Sequence, residues 1–141
     1  MTAVTYPKPM PAPDSDTAPF WEGCRAHRLL IQRCTACATF RFPPGPFCPK
    51  CRSRAVEWVP SSGRGKVFSW IVVEHPVPPD IYGAEVPYVV ALIALEEGVR
   101  IASNIVGCDP YSIAADMPVQ VRFDDVDERL TLPRFEPAGA S

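Results

Sequence analysis

Two CxxC pairs, Cys34-Thr-Ala-Cys37 and Cys48-Pro-Lys-Cys51, stand ten residues apart in a chain of 141 residues. Each pair turns tightly enough to aim both sulfurs at one point. Ten residues suffice for a short hairpin that brings the two turns together. Four thiolates converging in this way form a tetrahedral Zn(Cys)4 site, with Cys34, Cys37, Cys48 and Cys51 as the ligands. Two redox dithiols or two disulfides are the competing reading. The N-terminus shows no basic segment followed by an apolar one, the pattern that would announce an oxidising destination, so zinc is the expected occupant and the cytoplasm the expected location.

With all four positions taken by thiolates, no coordination site is left for water or substrate, and the expected Zn2+ is structural. Its binding supplies on the order of 10 kcal/mol of folding energy to a module too small for its own core. Ala38 and Arg52 follow the two cysteine pairs, where glycine would relieve a left-handed backbone. A side chain there costs ~1 kcal/mol.

Upstream of the cysteines, residues 1–17 hold four prolines without periodicity and are expected to form a flexible tail. Residues 18–31 are expected as a helix capped by Asp16 or Thr17, with Pro19 in its first turn and Phe20, Cys24 and His27 on one face. The zinc ribbon is placed at 32–59, and Pro60-Ser-Ser-Gly63 marks a junction. Residues 60–137 then read as β structure, with 138–141 as a short tail. Val67–Glu74, Tyr88–Leu95 and Val99–Val106 are rich in β-branched residues. Asp109-Pro110 offers an N-cap and first position for one or two helical turns. Val119, Val121 and Phe123 alternate with polar residues, and Arg129–Phe135 supplies the last strand. Five strands with a short helix between the third and fourth is the order of an OB-fold barrel. The expected fold is mainly β: an N-terminal helix, a zinc ribbon and a C-terminal five-stranded OB-fold barrel.

Composition narrows the function classes. Eighteen prolines weigh against an all-helical fold. The apolar run Val86–Leu95 is interrupted by Pro87 and Tyr88 and falls far short of the ~20 residues of a membrane helix. The net charge of −2 conceals two opposed halves. Arg25–Lys66 carries nine basic residues against Glu57 alone, a balance of +8. Val67–Ser141 carries four arginines against twelve acids, a balance of −8. Zinc ribbons and OB-folds both bind nucleic acids, and this ribbon is basic, so nucleic-acid binding is the alternative function. The acidic barrel opposes it, because a phosphate backbone would be repelled from the surface such barrels use.

The order of short motifs carries a family resemblance. Phe20-Trp-Glu-Gly23, Leu30-Ile-Gln-Arg-Cys34, Arg41-Phe-Pro-Pro44, Cys48-Pro-Lys-Cys51, Ser62-Gly-Arg-Gly65, Glu85-Val-Pro-Tyr-Val-Val90 and Ser103-Asn-Ile-Val-Gly-Cys-Asp-Pro110 together span about Pro19 to Pro137. The chain resembles the rubredoxin-like zinc-ribbon plus OB-fold proteins that accompany acyl-CoA thiolases, hydroxymethylglutaryl-CoA synthases and thiolase-like aldolases acting on steroid side chains. Ala38 and Arg52 depart from glycines frequent in that family. The resemblance implies an accessory subunit of a hetero-oligomer. It docks on a thiolase-like catalytic subunit and helps form the site for a coenzyme A thioester, without chemistry of its own. No serine, histidine or glycine-rich motif of an autonomous enzyme is present.

Three further residues are candidates for ligand or partner contact. Trp21 lies near the tail. His75 and Tyr82 bound the proline-rich loop between the first two barrel strands, which flanks the binding face in OB-folds. A stiff proline linker is the alternative for that loop, and core packing the alternative for the tryptophan. Cys24 and Cys108, outside the zinc set, read as packed free thiols.

Overall fold

The computed structural model describes residues 6–139. In chain order its elements are α1 (Ala18–Arg25), β1 (Leu30–Cys34), β2 (Phe40–Arg41), β3 (Val56–Pro60), β4 (Arg64–Val73), α2 (Pro79–Tyr82), β5 (Tyr88–Leu95), β6 (Arg100–Ile105), a 3-10 turn at Pro110–Ser112, β7 (Pro118–Asp125) and β8 (Thr131–Pro137). The first three strands form a sheet in the order β2-β1-β3, and the other five close a barrel in the order β4-β5-β6-β8-β7. The mainly β reading and the five-stranded OB-fold order hold. None of the helices in the described residues is long and apolar enough to cross a membrane.

The helix expected over 18–31 is corrected: it ends at Arg25, and Leu30 already belongs to a strand. Arg28 N donates to Gly23 O at 2.8 Å and His27 N to Cys24 O at 2.9 Å, the paired bonds of a Schellman stop. His27 takes the left-handed position of that motif, with φ 57°. Glycine ordinarily signals such a stop, and histidine hides it from the sequence. Gly23 is required for another reason, because a Cβ there would lie 2.8 Å from Arg28 O. The start of the helix differs too. Thr17 makes no side-chain cap bond. Asp14 Oδ1 instead accepts from the N–H groups of Asp16 and Thr17, both at 2.9 Å, while Thr17 Oγ1 accepts from Asp14 N. The Thr17 N–H, first among these donors, holds the Asp14 carboxyl below its ordinary value.

Within the tail expected over 1–17, Lys8 Nζ lies 2.6 Å from a Glu85 carboxylate oxygen and 5.5 Å from the Tyr82 ring centroid, so Lys8 is in contact with the rest of the molecule. Proline stiffness lowers the entropy lost in forming that contact. Residues 1–5 of that tail, and residues 140–141 of the C-terminal one, lie outside the described residues.

One core runs through both modules. Phe20, Leu29 and Ile31 belong to the same buried cluster as Val67, Val89, Ile93, Ile101, Val119 and Phe135 of the barrel. The connection between modules is clamped as well. Glu97 accepts from Ser61 Oγ at 2.7 Å and from Ser62 N at 3.0 Å, and Glu96 accepts from Ser62 Oγ at 2.7 Å. Gly63 then turns with φ 77°, where a Cβ would meet Val121 Cγ1 at 2.6 Å. β6 and β8 run parallel, with Ile105 in register with Phe135. The Asp109 cap is present, accepting from Tyr111 N at 2.9 Å, and opens one 3-10 turn.

Candidate functional site

The two cysteine turns are built alike. Ala38 N donates to Cys34 O and Cys34 N to Thr39 O, both at 2.8 Å. Arg52 N donates to Cys48 O and Cys48 N to Ser53 O, both at 2.9 Å. The left-handed residue of each turn falls on Ala38 (φ 66°) and Arg52 (φ 67°). β1 carries Cys34 from the shared core, and its pairing with β3 holds the far side of the second turn through Cys34↔Val56.

The four sulfurs of Cys34, Cys37, Cys48 and Cys51 lie within 4.8 Å of one another. Cys34 and Cys51, and likewise Cys37 and Cys48, are separated by 3.5 Å between sulfurs. That is too long for a disulfide at ~2.05 Å. It is close to the ~3.8 Å edge of a tetrahedron with 2.3 Å zinc–sulfur bonds. Two sulfurs are buried and two reach the surface.

Electrostatics point to a cation as well. Hydrogen bonding to Thr39 draws the Cys37 thiol down to about 6. The N–H of Cys51, aided by that of Lys50, lowers Cys48. The Ser53 N–H favours the Cys51 thiolate, but the sulfurs of Cys34, Cys37 and Cys48 outweigh it and push the thiol up to about 12. A Cys51 thiolate is thus disfavoured beside the other sulfurs, and a divalent cation at this point would offset the charge. Arg41 adds a further observation. It is only 6% exposed. Its Nε donates to Gln32 Oε1 at 2.8 Å and its Nη2 to Gly45 O at 2.9 Å, while Nη1 is buried without a partner. A metal tetrathiolate of net charge −2 would supply opposite charge within the same ribbon. The residues fit a structural zinc.

The remaining candidates are not brought together. Trp21 packs edge-on against Phe20 with ring centroids 5.0 Å apart and lines a cavity of about 320 Å³ with Met10 and Pro13. Tyr82 lines a different cavity of about 880 Å³, between the N-terminal strap and the β6, β7 and β8 side of the barrel. His75 is exposed and lines neither. The larger cavity is organised by Arg134, which donates to Asp124 Oδ2 at 2.9 Å and to Asn104 Oδ1. Cys108 also lines it. Cys24 is fully buried, and burial pushes its thiol up to about 12.

Residues 21–57 match the family described as the ChsH2 rubredoxin-like zinc ribbon domain, and residues 58–124 match the ChsH2 C-terminal OB-fold domain. A DUF35 domain-containing scaffold protein of Methanocaldococcus jannaschii is 42% identical over 110 residues, which cover 77% of each chain. The chain belongs to the ChsH2/DUF35 family. Within that family it is similar to a chain of the solved Ltp2-ChsH2(DUF35) aldolase, at 46% identity and a TM-score of 0.82. The match covers 91% of this chain and 98% of that one. It is also 47% identical over 131 residues to the probable enoyl-CoA hydratase alpha subunit of Thermomonospora curvata. That match takes in 93% of this chain but only 40% of the longer relative.

Proposed function

We propose that this chain is a non-catalytic, zinc-binding accessory subunit of a thiolase-type acyl-CoA enzyme. It docks on the catalytic subunit that makes or breaks a carbon–carbon bond and helps form the acyl-CoA site. Cys34, Cys37, Cys48 and Cys51 hold one structural Zn2+. The observation that carries this reading is the nearly end-to-end match, over 98% of its length, to the ChsH2(DUF35) chain of an aldolase. The match covers 91% of this chain.

The chemistry of its own residues supports the accessory role. A metal held by four thiolates contributes stability rather than Lewis acidity, since no position is open to substrate. Cys24 is a packed thiol whose raised pKa keeps it protonated. His27 is committed to Asp125, with Nε2 2.8 Å from one carboxylate oxygen. Catalytic groups therefore come from the partner.

Co-expression of the chain with a thiolase-type subunit tests the proposal. A stable hetero-oligomer containing one zinc per accessory chain, with acyl-CoA cleavage or condensation requiring both subunits, is the expected result. A catalytic subunit fully active without this chain, and not bound by it, would refute the reading.

A further inference from the structure

The outer wall of β4, β5 and β6 is apolar where a solvent-facing antiparallel sheet is ordinarily polar. Phe68 and Ile71 are 51% and 61% exposed, and Val90 and Leu92 are 36% and 38% exposed. Register sets Ile71 opposite Val90 and Ser69 opposite Leu92, and Leu92 in turn faces Ala102. These side chains form one strip across three strands, while Val67, Val89, Ala91 and Ile93 fill the barrel.

Charge is distributed with the same bias. The barrel segment 60–137 contains six basic residues. Arg122, Arg129 and Arg134 pair with Glu136, Asp127 and Asp124. Arg64, Lys66 and Arg100 make no ion pair among the described residues, and all three are exposed. They share the apolar wall. Lys66 and Arg100 both stand opposite Ala94, and Arg64 precedes Lys66 by two residues on the same face. The Arg100 guanidinium lies 3.8 Å from the centroid of the Phe68 ring. In a strongly acidic domain, every unpaired cation thus borders the exposed aliphatic strip.

We infer that this wall is the docking face for the catalytic subunit. The matching partner surface has an aliphatic centre flanked by carboxylates that pair with Lys66, Arg100 and Arg64. The inference rests on the function proposed above and names the face it uses. A single-stranded nucleic acid fits less well, because such platforms offer free aromatic faces to the bases. Here one face of Phe68 is stacked by Arg100, and no other aromatic ring stands among Ile71, Val90, Leu92 and Ala102. A second copy docked through the same face would set Arg64, Lys66 and Arg100 against the same three cations.

The test measures binding of the complete chain to the co-purified thiolase-type subunit by biolayer interferometry. Wild type is compared with Leu92→Asp, with the double reversal Lys66→Glu/Arg100→Glu, and with Glu128→Lys on the distant β7–β8 turn as control. Wild type and control bind, whereas both wall variants lose about tenfold or more in affinity. The loss from the double reversal shrinks as salt rises. That variant alters no buried residue, giving up only the exposed Arg100–Phe68 stack, so it remains decisive if Leu92→Asp fails to fold. Wall variants that bind undiminished overturn this inference and leave the accessory-subunit reading standing. Wild type that does not bind the thiolase-type subunit sinks both. Capture of oligo-dT, or homodimer formation, by wild type and not by the wall variants would assign the face to another occupant and refute the inference.

Discussion

Removing the metal should melt the cysteine turns while leaving the barrel folded. The two modules share a core, but they do not share it evenly. Leu29 and Ile31 are 2% and 0% exposed and lie in the barrel's cluster, so β1 stays anchored without zinc. The turns at 34–39 and 48–53 have no such support. They hold two non-glycine residues in left-handed backbone, costing ~1 kcal/mol each. They also gather four sulfurs at one point, where the Cys51 thiol is pushed up by its neighbours. Zinc contributes on the order of 10 kcal/mol against these costs. Chelation, or Cys48→Ser, should therefore reduce hydrogen-exchange protection of the Cys34, Ala38, Cys48 and Arg52 amides by at least about a thousandfold. That corresponds to ~4 kcal/mol at 1.4 kcal/mol per decade, well inside what the metal supplies. The amides of Val89, Ala91 and Ile93 should keep their protection within about threefold. Exchange measured by mass spectrometry, before and after chelation, reads both sets in one experiment. Turn amides that remain protected in the zinc-free chain would refute the argument, and so would a barrel that loses protection along with them.

Ala38→Gly and Arg52→Gly should each stabilise the zinc-loaded chain by roughly 0.5–1 kcal/mol, because φ near 66° suits glycine; thermal melts of the single variants check this. Gly63→Ala should destabilise by about 2 kcal/mol or more, since its Cβ would meet Val121 Cγ1 at 2.6 Å from a backbone at φ 77°; urea unfolding reads the loss. The Thr131 hydroxyl, then His27, holds the Asp125 carboxyl below its ordinary 3.8, so the unfolded state binds the proton more readily. Its contribution is fully present above pH ~4 and is lost as pH falls through the lower folded value. Asp125→Asn should flatten that part of the acid-stability profile, and an unchanged slope below pH 4 would contradict the assignment.

The parts of the fold legible in the sequence are those where a chemical rule forces a pattern. Cysteine spacing marks the ribbon because a tetrahedral metal needs four soft ligands at one point. Strand order in the barrel follows from β-branched runs separated by Glu97-Gly98 and Asp109-Pro110. What was hidden lies where one residue type does another's work. His27 closes a helix in place of glycine, so the apolar periodicity reads on to Leu30. Arg41, between Phe40 and Phe42, carries no local signal of burial, yet it is buried on Gln32 and Gly45 O. Lys8 meets Glu85, a pair 77 positions apart that no local rule connects.

The docking wall was written in the sequence in a form easily taken for core. Val89 to Leu95 is apolar at every position. A strand with one face in a barrel core and the other in water should alternate, and only Val89, Ala91, Ile93 and Leu95 are buried. The intervening Val90 and Leu92 have no inward role, so their hydrophobicity is unexplained by this chain's folding. The same holds for Phe68 and Ile71 on β4. A chain whose barrel carries twice as many acids as bases could have covered such a strip with carboxylates and gained solubility. It keeps them elsewhere and borders the strip with its three unpaired cations instead. A self-contained binding module has no need of that arrangement, whereas a subunit whose second core lies in an interface does. The continuous apolar strand is thus half of a contact that only a partner can complete.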